Sequence, residues 1–145
     1  MVSSSFIFFL YPIFIHTFNP TLAQPDFVLY HCSDSGNYTS NSAYRANLNS
    51  LLTSISLSTQ TNDEFYNFSN GVYPDRVYAI AFCIGVSKLD HCRSCVNDTT
   101  HKLLEICPNQ KEAIGFYDNC SLQFSNNSLF GIMKSRPMLL AIKRV

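Results

Sequence analysis

Residues 83–95 read CIGVSKLDHCRSC and hold three of the chain's six cysteines, with eight residues between Cys83 and Cys92 and two between Cys92 and Cys95. Spacing alone permits three chemistries. A zinc site would draw four ligands from Cys92, Cys95, His91, His101 and Cys107, but the C-x2-C lacks a second pair at the spacing of a ribbon or finger. A redox C-x2-C should open the helix that follows the first strand of a thioredoxin-type fold, an order of elements this chain does not have. Structural bridging is the reading kept, with no metal and no cofactor expected.

Outward from this stretch, the periodicity changes on each side. Val77 to Cys83 (VYAIAFC) is a nearly continuous apolar run suited to a central strand, entered from a turn at Pro74-Asp75. Before it, Phe65-Tyr66-Asn67-Phe68-Ser69 alternates as a strand does and ends at the turn signal Asn70-Gly71. After it, Cys92, Cys95, Val96, Thr99, Leu103 and Ile106 share one side of a helix that starts near Asp90 and is stopped by Pro108. Ala113 to Tyr117 and Ser121 to Phe124 are two further strands that bracket Asn119-Cys120.

Nearer the N-terminus, Tyr44, Leu48, Leu51 and Ile55 recur at spacings of four, three and four, which predicts a helix over 42–57 capped by Asn41 or Ser42. Phe27 to Tyr30 is a short β-prone run leading to Cys32, and Ser33 to Tyr38 (SDSGNY) is a break. Strand, helix, two strands, helix, two strands carries no βαβ rhythm. The expected fold class is therefore α+β, with two helices packed on one face of a roughly five-stranded antiparallel sheet. Residues 24–127 form the domain, and residues 128–145 are a tail, read as a linker cut short, with no place in it.

The whole chain has 145 residues, enough for one domain. Lys plus Arg and Asp plus Glu number 10 each, so no broad basic surface is available and nucleic acid is not an expected partner. With 46% hydrophobic and 14% charged residues the chain can bury a core. Phe6 to Ile15 (FIFFLYPIFI) is an apolar run interrupted by Pro12 and far shorter than the ~20 residues of a membrane span. Followed by Thr21-Leu22-Ala23, it reads as a secretory signal peptide over residues 1–23. No membrane span is expected in the remaining chain. All six cysteines lie after it, and an even count in a small exported chain argues for three disulfides.

Sequons of the form Asn-x-Ser/Thr occur at Asn37, Asn67, Asn97, Asn119 and Asn126, against about two expected by chance from the chain's 13 asparagines and 26 serines and threonines. Asn37, Asn67, Asn97 and Asn126 are the expected glycosylation sites, Asn37 and Asn97 foremost. Asn119, with Cys120 as its middle residue, is expected to stay largely bare. His31 and His101 read as surface or packing residues, because spacing provides neither with a nucleophile or carboxylate. The acids Asp63, Glu64, Glu105, Glu112 and Asp118 are scattered and make no glycosidase pair. No catalytic residue is assigned.

CIGVSKLDHCRSC, preceded by FYNFSNG and followed by CPNQKEAIGFYDNCSLQFSN, resembles the plant ginkbilobin-type, or stress-antifungal, domain. Such domains occur in cysteine-rich repeat secretory proteins and in ectodomains of cysteine-rich receptor-like kinases. The resemblance runs from about Phe27 to Asn127. It implies the pairing Cys32 with Cys107, Cys83 with Cys92 and Cys95 with Cys120, where sequence alone leaves 15 connectivities open. Enclosed loops of 76, 10 and 26 residues would then constrain the unfolded chain by ~4.5, ~2.7 and ~3.5 kcal/mol, upper-end values that do not add.

The founding members of that family are mannose-binding antifungal proteins that use an Asn after the first cysteine, an Arg six residues before the last and a Glu five residues after it. Here those places hold Ser33, Ile114 and Ser125. Either serine can make a hydrogen bond, but Ile114 offers no guanidinium and no carboxylate stands at 125. The resemblance therefore implies a secreted, non-enzymatic binding module of the apoplast, active in defence or stress, whose partner is an extracellular protein or a cell-wall glycan. The alternatives are a mannose-binding antifungal lectin-like protein, or a truncated receptor-like kinase ectodomain.

Overall fold

A computed structural model describes residues 27–57, 65–85, 89–129 and the backbone of 143–144. The expected signal peptide lies outside the described residues. The order of elements is β1 (Phe27–Cys32), α1 (Ala43–Leu57), β2 (Phe65–Asn70), β3 (Val77–Cys83), α2 (Leu89–Ile106), β4 (Ala113–Tyr117), β5 (Cys120–Ser125) and β6 (Lys143–Arg144). The five longer strands and both helices form where periodicity places them. The tail, which the sequence left without a place, contributes the two-residue β6.

Spatial order in the sheet is β2-β3-β5-β4-β1-β6, every neighbour antiparallel. Two hairpins, β2–β3 and β4–β5, are thus joined side by side through β3 and β5, and α2 makes the crossing between them. Strand alternation sends one set of side chains toward the helices: Val77, Ala79, Ala81 and Cys83 on β3, and Cys120, Leu122 and Phe124 on β5, all at most 2% exposed. Ala79 stands opposite Phe124 and Ala81 opposite Leu122, so small residues on β3 leave room for large ones on β5 and for α1.

Both helices lie on that one face and touch each other. α1 buries Tyr44, Leu48, Leu51, Leu52 and Ile55. Ser42 is its cap: its hydroxyl accepts from the Arg45 amide at 3.2 Å and donates to the Thr39 carbonyl at 2.7 Å. α2 buries Cys92, Cys95, Val96, Thr99, Thr100 and Leu103. Thr99 and Thr100 are tolerated inside because each hydroxyl donates to the carbonyl four residues earlier, at 2.7 and 2.9 Å.

Three disulfides fasten α2 to the sheet. Cys32 is joined to Cys107, Cys83 to Cys92 and Cys95 to Cys120, with Cα separations of 5.3, 5.8 and 6.1 Å. The start of α2 is therefore held to the end of β3, its second turn to the start of β5, and the residue just past its end to β1. Cys92 and Cys95, three residues apart, take different partners: α2 packs over β5, β4 and β1, so Cys95 meets the start of β5, while Cys92 in the first turn is bridged to the end of β3.

Candidate interaction site

The sheet has a second face, and no described element packs against it. In-register pairing lays its side chains out in rows. One row runs Phe65, Phe82, Ser121, Phe116 and Leu29 across β2, β3, β5, β4 and β1. The next runs Asn67, Ile80, Gln123, Ile114 and His31. A third holds Ser69, Tyr78 and Ser125. Phe65 is 49% and Phe82 37% exposed, and Ile80, Tyr78 and Phe116 are half-buried. Large apolar groups this open to water are the informative kind of exposure.

The three positions matched to the mannose set fall near one end of this face. Ile114 lies between His31 on β1 and Gln123 on β5 and is 8% exposed. Ser125 is two residues along β5 from Gln123 and is 1% exposed, its hydroxyl accepting from the Asn127 amide at 3.0 Å. Ser33 follows β1 and donates its amide to the Glu112 carbonyl at 3.0 Å.

The tertiary structure thus brings Glu112, which sequence reasoning left among scattered acids, beside Ser33 and one step before β4. Its Oε2 accepts from the Ser35 hydroxyl at 3.4 Å. A carboxylate stands at this corner, while Arg45 is engaged with the Tyr38 ring and hydroxyl on the helix side. A hexose needs donors and acceptors aimed together. Here the central position is an aliphatic side chain.

The expected glycosylation sites scatter around the domain. Asn37 is exposed, and its backbone bridges to Gln110. Asn67 is exposed on the edge strand β2, Asn97 is half-buried on α2, Asn119 is exposed in the β4–β5 turn and Asn126 is half-buried just after β5. His101 is exposed on α2. No group of three or more His, Cys, Asp or Glu that could hold a metal occurs among the described residues. Nor is any described helix long and apolar enough to cross a membrane.

The family model described as salt stress response/antifungal matches residues 31–127, from the end of β1 through β5. The chain belongs to this family. Among relatives, cysteine-rich repeat secretory protein 1 of Arabidopsis thaliana is 36% identical over 137 residues, covering 94% of this chain and 39% of that protein. Cysteine-rich receptor-like protein kinase 29 of the same plant is 37% identical over 115 residues, 79% of this chain and 16% of the kinase. The tandem DUF26 ectodomain of the Arabidopsis thaliana cysteine-rich receptor-like protein PDLP5 superposes with a TM-score of 0.67 at 27% identity, covering 74% of this chain and 53% of that one. This stress-antifungal chain therefore spans less than half the length of the secretory relative, and about half of the tandem ectodomain.

Proposed function

We propose that this stress-antifungal chain is a secreted, non-catalytic recognition module of the plant apoplast, acting in defence or stress, and that it engages an extracellular protein through the open face of its sheet. The observation that carries the reading is the pair Phe65 and Phe82, aromatic side chains carried on paired strands and left open to water, with half-buried Phe116 beyond Ser121 in the same row. Aromatic anchors on a stiff scaffold lose little conformational freedom on binding, which is why they concentrate at the centres of protein interfaces. Support also comes from relatives whose names describe secretory proteins and receptor-like kinases.

A glycan partner is the competing reading. Calorimetric titration of the oxidised chain with mannose and manno-oligosaccharides tests it, run beside the variant Ser33→Asn, Ile114→Arg, Ser125→Glu. The protein-partner reading expects no heat from the wild type, and capture of a partner from apoplastic fluid that Phe65→Ser, Phe82→Ser abolishes. Saturable binding of mannose by the wild type would overturn it.

A further inference from the structure

The five sequons differ in where folding leaves their hydroxyl residues. Thr39, Ser69 and Ser128 are exposed and Ser121 is half-buried, but Thr99 is 0% exposed. Its Oγ1 donates to the Cys95 carbonyl at 2.7 Å and stands 3.3 Å from the Sγ of Cys120, against the Cys95–Cys120 disulfide. Asn97 itself is half-exposed. It lines an open cleft of about 490 Å³ between α1 and α2, with Leu52, Ser56, Leu57, Thr100 and His101 among its neighbours. The folded domain thus has room for a sugar on Asn97 while the sequon's hydroxyl is sealed inside.

Helix geometry separates the two groups further. Residues i and i+2 of an α-helix point about 200° apart, whereas in an extended chain they share a side. A transferase that must grip the Asn amide and the Thr hydroxyl together can do so at 97–99 only while this stretch is not helical. Asn67 and Ser69 are the opposite case: both are exposed, on the same face of the edge strand β2, already extended.

We propose that Asn97 is an N-glycosylation site filled only before α2 forms and the Cys95–Cys120 bridge closes, whereas Asn67 remains an acceptor in the folded domain. The inference rests on the secreted reading, because the donor is a lumenal lipid-diphosphate oligosaccharide. Asn97 Nδ2 bonds to C1 of the first N-acetylglucosamine, the C1–O bond to the lipid diphosphate breaks, and the proton lost by the amide leaves with the diphosphate. The sugar then roofs the α1–α2 cleft.

The test is site-by-site occupancy, measured by mass spectrometry on the full chain made in a eukaryotic secretory host with and without dithiothreitol to delay oxidation. In parallel, unglycosylated chain, oxidised or reduced, is given purified oligosaccharyltransferase and lipid-linked donor. The expected result is Asn97 partly filled in cells and rising about two-fold when oxidation is delayed, since bridge closure takes seconds or longer. The oxidised chain is expected to accept at Asn67 and refuse at Asn97, with reduction restoring Asn97. Asn97 empty in cells while Asn37 or Asn67 is filled would overturn the proposal, as would equal modification of Asn97 and Asn67 in the oxidised chain. A chain with every sequon empty in cells would overturn the secreted reading instead, and the reduced-against-oxidised comparison would still decide the order of events.

Discussion

The hydroxyl of Tyr44 donates to the carbonyl of Lys111 at 2.6 Å, joining the first turn of α1 to the lead-in of β4 across 67 positions of sequence. The Tyr44 ring is fully buried, with the Tyr38 ring 5.4 Å away and the Lys111 ammonium 5.6 Å from its centroid. Burial first, then the neighbouring Tyr38 and Glu112, push the phenol well above its ordinary value of 10.0.

Tyr44→Phe is accordingly expected to destabilise the domain by about 1–2 kcal/mol, since the Lys111 carbonyl loses its donor. A folded-state pKa raised above the unfolded one stabilises the fold fully below the unfolded value and progressively less as pH rises past it. Stability should therefore fall above pH ~10 in the wild type and fall less steeply in Tyr44→Phe. Urea unfolding followed by circular dichroism from neutral to alkaline pH measures both effects.

The three bridges should not be equivalent. Removing Cys32–Cys107 by paired alanine substitution frees the longest loop, with a sequence separation of 75, against 25 for Cys95–Cys120 and 9 for Cys83–Cys92. Losses of up to ~4.5, ~3.5 and ~2.7 kcal/mol are expected in that order, as read from denaturation midpoints of the three double variants. A Cys83–Cys92 variant less stable than the Cys32–Cys107 one would contradict the loop argument.

Gly71 closes the β2–β3 turn at φ +84°, and a methyl group there would collide with the Asn47 side chain. That side chain is held in place, its Nδ2 donating to the Asp75 carbonyl at 2.8 Å, and the main-chain carbonyl of Asn47 separately accepts from Asn70 Nδ2 at 3.2 Å. Gly71→Ala should cost about 1–3 kcal/mol through strain at positive φ and the broken tie between α1 and the hairpin. Thermal unfolding, with an Asn47→Ala, Gly71→Ala double variant showing a less than additive loss, is the check.

The two faces of the sheet should respond oppositely to truncation. Leu122, fully buried between β5 and the helices, is expected to lose about 2–5 kcal/mol on substitution by alanine. Phe82→Ser, on the open face, should change stability by no more than about 1 kcal/mol yet weaken capture of an apoplastic partner by roughly thirty-fold. Equilibrium unfolding and surface-immobilised binding of the same variants separate the two effects.

Much of the fold was legible because its elements are periodic. Tyr44, Leu48, Leu51 and Ile55 announce α1, and each of them is buried. Val77–Cys83 is a strand over the same residues that its apolar run marks. β6 was not legible: two residues carry no period, and Lys143–Arg144 becomes a strand only because β1 presents a free edge opposite Leu29 and Tyr30. Glu112 was missed for a similar reason, since its place beside Ser33, 79 positions away in the chain, depends on β1 lying next to β4.

Sequence by itself determined which stretches become helix or strand, and which half of each faces inward, because backbone sterics and hydrophobic periodicity act over a few neighbouring residues. It also set the cysteine count and the absence of a guanidinium at position 114. Only the tertiary structure decided that Phe65, Phe82 and Phe116 form one row, that β3 pairs with β5, and that Thr99 is sealed while Asn97 looks onto a cleft. Those relationships come from strand register and helix docking between distant segments, where the free energy lies in mutual burial that no local pattern records.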